Sequence, residues 1–557
     1  MREKLIEEKP QIFEDKDSAG GLWEHLGPKE SEKQLKGLYL INTRLWLDDL
    51  SKKYETTITI GSVPDDEWNK LFEKYDNFWF MGIYQPSQKG QEVAKKHLDD
   101  YRYRDYLPDI DENRDIVASP FAITEYSPNP TIAKDWQEWD EMVEKLHQRG
   151  KKVFIDFVPN HTALDHPWVQ SHPEYYVQGY EQLYLTTNNF IKITDDIGQV
   201  KYFAYGKDPN YPDKPWTDTL QLNYANIELQ EKMRDELIKL SKHTDGFRCD
   251  MAMLINPKTF ITSWNWCLNL SKEEQNNLKE NPFWQKTISE IKNKVALQDN
   301  RNIEFIAEAY WDEKELGQWF DYIYNKGLYN NMIDCIKTGY IFGIKEHLKS
   351  LIGQSGEIKN RWVIFTENHD EKRATEIMGE EFSKPAAVLL AMIRDSIFMV
   401  NQGQESGWHF RPPVQILKFR KEETNFDIAR FYDDLLSIRR SSLFQNGEIN
   451  IIDSTSGDQN SIIFEIRKAD TDTRAIVAVN ISQWTSFAQV EKDEDHLDIY
   501  NLTSGQKSDD DWIDDKNLIL KLNPGEVKIV CLTTVAPESS KPQDECVLSE
   551  MEPRACF

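Results

Sequence analysis

The sequence predicts an α/β fold: a (β/α)8 TIM barrel with a small inserted subdomain after strand 3 and a C-terminal antiparallel β-sandwich domain. Three observations lead there: eight short apolar runs, amphipathic stretches of helical period between most of them, and a change to alternating apolar segments towards the C terminus. Strands that alternate with helices imply parallel pairing, and eight such units close a barrel.

Residues 1–35 are charged and lack apolar period, and are set apart as an N-terminal extension. The apolar runs then follow as Gly37 to Leu47, Phe78 to Tyr84, Val153 to Val158, Gly246 to Asp250, Ile303 to Glu308, Phe320 to Tyr324, Trp362 to Thr366 and Ser396 to Val400. Helical spacing is read over Asp135 to His147, Asn226 to His243, Glu274 to Ala296 and Gly343 to Ile352, with Phe431 to Arg440 as the last barrel helix. The barrel therefore takes residues 36–160 and 225–440. Between them, residues 161–224 are rich in Pro, Tyr, Asn and Asp without helical period and are too long for a simple loop, so they form the inserted subdomain.

Alternation takes over in Ile462 to Arg467, Ala475 to Val479, Leu518 to Leu522 and Val527 to Leu532, with turn signals at Ser456-Gly457-Asp458 and Pro524-Gly525. Residues 441–535 are accordingly a β-domain. The polar, acidic residues 536–557 are expected to be a flexible tail.

The 557 residues carry 67 Lys plus Arg against 95 Asp plus Glu, a net charge of −28. Such a field repels phosphate backbones and anionic membranes, which argues against both as partners and favours a neutral ligand. With 17 Trp, 23 Tyr and 26 Phe the chain is too aromatic for disorder. It has no 18-residue apolar stretch, and its start, MREKLIEEKP, has no apolar h-region, so a cytoplasmic location is expected. Six widely spaced cysteines without CxxC indicate neither a disulfide framework nor a zinc site. Dinucleotide, P-loop and zinc-protease motifs are missing.

In a parallel barrel the chemistry sits at the C-terminal ends of the strands. The third run ends in Asp156, Asn160 and His161; the fourth carries Arg248 and Asp250, two apart and on one face. The fifth ends in Glu308, and the seventh in Asn368, His369 and Asp370. Taken alone, the third- and seventh-strand segments read more readily as satisfied loop pairs, and Arg248 with Asp250 equally well as a buried ion pair. Jointly they bring Asp, Glu and Asp to one mouth. Glycoside hydrolysis uses such a set: a protonated carboxyl for the leaving oxygen, an ionised carboxylate opposite, and polar partners for sugar hydroxyls.

At these residues the sequence resembles the α-amylase family of glycoside hydrolases, from about Gly37 to Thr534. The signature regions occur in order as DFVPNH from Asp156, GFRCD from Gly246, the Glu of IAEAYW at Glu308 and ENHD from Glu367. Two weaker similarities are Ala118 to Tyr126, like the family's SPY-x-x-x-DY segment, and Gln402-Gly-Gln-Glu405 after the eighth strand. The resemblance implies a retaining enzyme acting on α-glucans or malto-oligosaccharides, with Asp250 as nucleophile, Glu308 as general acid and base, and Asp370 as the stabilising carboxylate. It further implies that Arg248 orients Asp250, that His161 and His369 bond sugar hydroxyls, and that Phe121 stacks on a sugar where the family usually has Tyr.

Departures are also visible. Many α-amylases follow the nucleophile with Ala-Ala-Lys-His, whereas Asp250 is followed by Met251-Ala-Met-Leu254. Asn160 matches one calcium ligand of the family but the His partner is absent, so no cofactor and no metal is expected. Two other readings stay open: a transglycosylase using the same residues, and a non-catalytic amylase-like binding protein. Oligomeric state, chain length and α-1,4 against α-1,6 preference are not encoded in these motifs.

Overall fold

The computed structural model describes residues 37–533 apart from 99–101, 354–360, 395, 469–472, 493–495, 509–510 and 514–515. The expectations for residues 1–35 and 536–557 therefore lie outside the described residues. Eight parallel strands close a barrel: β1 (Gly37–Asn42), β2 (Asn77–Met81), β3 (Lys152–Phe157), β4 (Gly246–Cys249), β5 (Glu304–Ala307), β6 (Tyr322–Tyr324), β7 (Trp362–Ile364) and β8 (Ile397–Asn401). Each strand pairs with its neighbour in the chain, and β1 closes the ring by pairing with both β2 and β8. Strands covered on both faces need apolar residues at every position. Accordingly all five residues of β2 and five of the six in β3 are buried.

The helices cover the outside with one face each. Trp136–His147 starts at Asp135, whose carboxylate accepts the Glu138 N–H at 3.0 Å, and buries Trp139, Met142, Val143 and Leu146. Ile227–Leu240 is capped by Asn226 and buries Leu229, Met233, Leu237 and Leu240 in the same rhythm.

Two segments divide differently from the sequence reading. Gly37 to Leu47 is not one strand: after Asn42 a helix, Thr43–Lys53, buries Thr43, Trp46, Leu47 and Leu50 at helical spacing. The stretch from Glu274 to Ala296 is two helices, Lys272–Glu280 and Phe283–Asp299, separated at Asn281-Pro282. Proline has no N–H to continue the first helix and sits ahead of the second instead. Ser271 and Glu274 close a capping box on the first, which also fixes its earlier start.

After β3 the chain leaves the barrel. Its neck is an antiparallel pair, His161–Ala163 against Thr219–Gln221, and between these lie short helices and a hairpin of Phe190–Thr194 with Val200–Ala204. A second antiparallel pair, Tyr84–Pro86 with Ile123–Pro128, follows β2.

Among the described residues the C-terminal region has nine antiparallel strands: β9 (Glu448–Ile452), β10 (Ile462–Lys468), β11 (Thr473–Val479), β12 (Ser486–Glu491), β13 (His496–Asn501), β14 (Gln506–Lys507), β15 (Trp512–Ile513), β16 (Asn517–Leu522) and β17 (Val527–Thr533). They form a six-stranded sheet, β9-β10-β11-β17-β13-β14, and a three-stranded one, β12-β16-β15. Ile463, Ile476, Ala478 and Val530 face the second sheet, meeting Ala488, Val490, Leu518, Leu520 and Leu522. Their chain neighbours Phe464, Val477, Val479 and Ile529 point the other way and join the main core with the barrel. The period of two thus gives the large sheet two apolar faces.

Candidate active site

The site is built around Arg248 in β4. Register places it beside Asp156 of β3 on one side and Ile306 of β5 on the other, inside the barrel. Its guanidinium is fully buried and meets three carboxylates: Nη1 lies 2.7 Å from Asp250 Oδ1 and 3.8 Å from Asp156 Oδ1, and Nη2 lies 2.7 Å from Glu308 Oε2. The rings of Trp79, Phe121 and Tyr324 stand 4.9, 5.4 and 5.8 Å from the guanidinium carbon, giving its faces cation–π contacts. Asp156 is held in turn by the indole N–H of Trp79 at 3.1 Å and the N–H of Gly82 at 2.9 Å.

Two residues beyond their inward-facing strand positions, Asp250 and Glu308 reach the same rim. Glu308 accepts the Tyr310 hydroxyl at Oε1 (2.9 Å) and the Met251 N–H at Oε2 (2.8 Å). Met251 adopts a left-handed backbone, φ 42°, which turns that N–H inward. Burial, reinforced by the charges of Asp250 and Asp370 and opposed by Arg248, pushes the Glu308 carboxyl up to about 7. Burial also raises Asp250, against the pull of Arg248.

Asp370 stands higher in the mouth, its side chain 44% exposed, and His369 Nε2 lies 3.1 Å from its Oδ2. Burial of the surrounding site acts to raise Asp370, but the contact with His369 and the charges of Arg248 and Arg411 outweigh it and hold the carboxyl below its usual range. The turn is fixed by Asn368, whose Oδ1 accepts the N–H groups of Asp370 and Glu371 at 2.9 Å each. Below it, Glu367 pairs with buried Arg373 at 2.5 Å and accepts from Asn401 at 2.9 Å.

Phe121 packs 5.3 Å from the His369 ring, and His161 lies 5.1 Å from the ring of Trp216. Burial pushes His161 down to about 3, so the imidazole is neutral. A cavity of about 610 Å³ is lined by Phe121, His161, Asp250, Glu308 and Asp370, while Arg248 and His369 lie just behind its wall. All seven residues read from the sequence thus converge on one mouth. The Gln402-Gly-Gln-Glu405 segment does not enter it. Gln404 bonds Thr366 and Tyr432 at 2.8 and 2.6 Å, and Glu405 accepts from Tyr39 at 2.5 Å, so both tie β8 to its neighbours.

Asn160 offers a poor seat for calcium. Its Oδ1 accepts the Gln221 amide at 2.9 Å and its Nδ2 faces His161 Nδ1 at 3.4 Å, so both ends of the amide are engaged within the insert's neck. The following Met251 to Ile255 stretch is apolar and buried. No cluster of three metal-binding side chains occurs among the described residues.

Several site residues have no motif to announce them: Trp79 and Tyr324 around the carboxylates, and Asp208, Lys214, Trp216 and Asp218, which the insert brings to the cavity. Tyr310, which bonds Glu308, had a signal, since it lies two residues after that glutamate in the IAEAYW segment.

With this geometry in place, a model of the alpha-amylase catalytic domain matches residues 133–434, more than half of the chain. The chain belongs to the alpha-amylase family. Among curated members it is 22% identical over 340 residues to Alpha-amylase 3 of Dictyoglomus thermophilum, covering 60% of this chain and 62% of that protein. It is 24% identical over 326 residues to Probable oligo-1,6-glucosidase 2 of Bacillus subtilis, covering 52% and 55%. The matches therefore span 62% and 55% of the length of these two relatives, and less of several others. A solved alpha-amylase from Lactobacillus plantarum superposes with a TM-score of 0.61 at 17% identity over 89% of this chain and 98% of that one, which shows the shared alpha-amylase fold. No helix among the described residues is long and apolar enough to cross a membrane.

Proposed function

We propose that this alpha-amylase family member is a retaining glycoside hydrolase that cleaves α-glucosidic bonds of α-glucans or malto-oligosaccharides by double displacement. One observation carries the reading: a single buried guanidinium, Arg248, touches Asp250 and Glu308 at 2.7 Å each, and the second of these is pushed up to about 7. Two carboxyls on neighbouring nitrogens of one guanidinium are close enough for the about 5–5.5 Å spacing of a retaining pair.

In the first step an oxygen of Asp250 attacks the anomeric carbon. The glycosidic bond breaks, and the leaving oxygen takes the proton of Glu308, which burial keeps protonated near neutral pH. The glycosyl group is now an ester on Asp250. In the second step Glu308, now a carboxylate, takes a proton from water as the water oxygen attacks the same carbon, and Asp250 departs ionised. Asp370, held ionised at the mouth, stabilises the positive charge that builds on the sugar and accepts its hydroxyls. Neutral His161 bonds a sugar hydroxyl, His369 bonds another, and Phe121 covers a sugar face. No step uses a metal.

The test is time-resolved product analysis on maltopentaose and on an isomalto-oligosaccharide of similar length, since the named relatives divide between amylase and oligo-1,6-glucosidase. Hydrolysis yields shorter sugars only, with retained configuration in the first anomer released. Longer products growing with concentration identify a transglycosylase, because a sugar hydroxyl then replaces water on the same ester. No turnover of either substrate contradicts the reading and leaves a binding protein.

A further inference from the structure

A second cavity, of about 550 Å³, lies between the helix Gln88–Lys96 and the hairpin of the insert. Lys89, Glu92, Val93 and Lys96 are spaced three, four and seven apart, so one face of the helix lines it; Lys192 of the hairpin and His97 complete the polar lining. Among the described residues, Lys89, Lys96 and Lys192 have no carboxylate within 4 Å, and Glu92 is the one carboxylate on the wall. In a chain of net charge −28, three exposed lysines that make no ion pair among the described residues border this pocket.

The pocket is also built rather than incidental. Asp165 accepts the N–H groups of Gln88 and Lys89 at 2.9 and 3.1 Å and the Ser87 hydroxyl at 2.5 Å, pinning the helix to the insert. The two cavities share a wall built from the insert. Three stretches contribute to both sides: His161, Asp208 and Asp218 face the catalytic cavity, while Leu164, Tyr205 and Thr217 face the cationic one.

We propose that this cavity is a second ligand site, taking a small organic phosphate on its lysines, and that its occupancy is felt in the catalytic cavity through the shared wall. A phosphate monoester carries about −1.5 to −2 charges and three acceptor oxygens, which suits three ammonium groups. The volume exceeds what bare phosphate fills, and Leu164, Tyr205 and the Thr217 hydroxyl offer a surface of mixed polarity to its organic part. Ligand-linked change then requires only that phosphate binding favour one position of the wall. This goes beyond the glycosidase reading and does not depend on it.

The experiment is calorimetric titration of the full chain with glucose 6-phosphate, inorganic phosphate and glucose, repeated on the Lys96→Glu/Lys192→Glu double variant. The expected result is saturable binding of the ester, at least tenfold tighter than inorganic phosphate, weakened at least tenfold in the double variant and reduced by added salt. Turnover of maltopentaose by the variant without phosphates is unchanged, and added ester shifts KM in the native chain only. Absence of saturation at on the order of 10 mM ester, only a few kcal/mol of affinity, overturns the site. So does equal binding by the double variant, which places the ester in the catalytic cavity. Inorganic phosphate binding as tightly as the ester overturns the organic ligand, and an unchanged KM overturns the coupling.

Discussion

The backbone N–H of Met251 donates to Glu308 Oε2 at 2.8 Å, so the residue that follows Asp250 in the chain holds the carboxyl opposite it. The bond exists because Met251 takes φ 42°, a region that costs an L-residue roughly 1–2 kcal/mol. Met251→Gly is expected to keep turnover within a few-fold. Met251→Ile, with a branched Cβ in that region, is expected to lose about 1–2 kcal/mol in urea unfolding and more than tenfold in kcat.

Arg248 is the partner of three carboxylates in a fully buried position. Arg248→Met leaves them unpaired, and breaking a buried ion pair costs about 3–5 kcal/mol. Denaturant unfolding should show a loss of that size. Arg248→Lys keeps the charge but replaces the planar fork with one ammonium, which cannot hold Asp250 and Glu308 from separate nitrogens. At least a tenfold loss in kcat/KM with a smaller loss in stability is expected.

The pH dependence follows from Glu308. It must carry its proton to act as acid, and its carboxyl is pushed up to about 7 by burial and by Asp250 and Asp370. As pH rises through about 7 the protonated fraction falls, so kcat/KM declines on the alkaline side. The Tyr310 hydroxyl donates to Glu308 Oε1 and favours its ionised form. Tyr310→Phe is therefore expected to move that alkaline limb to higher pH, read from the kcat/KM profile. Movement to lower pH contradicts the assignment.

Chelation gives an independent check. Because Asn160 spends its Oδ1 on Gln221, activity and melting temperature are expected to be unchanged after EDTA dialysis and after adding back calcium. A loss restored by calcium would place an ion at the insert's neck after all.

The barrel was legible because buried parallel strands write themselves as unbroken apolar runs, as in Asn77–Met81, and polar residues at their ends stand out against them. Arg248 on β4 and Asp250 just past its end, two apart, were readable for the same reason. Junctions were harder: Asn42 to Thr43 changes from strand to helix without a change in hydrophobicity, and only the spacing of Trp46, Leu47 and Leu50 marks it. Trp79 was hidden inside an aromatic strand, where a core residue and one bonding Asp156 look alike. Trp216 and Lys214 reach the cavity through the path of the insert, a long-range matter that local pattern does not encode.

The central claim is an ester on Asp250. The direct measurement is mass spectrometry of a proteolytic digest after incubation with 5-fluoro-α-glucosyl fluoride, which slows release of the covalent intermediate. The account predicts one added glycosyl group, on the peptide carrying Asp250, and none in Asp250→Asn. An adduct on Glu308 or Asp370, or inverted product with no adduct, would contradict it.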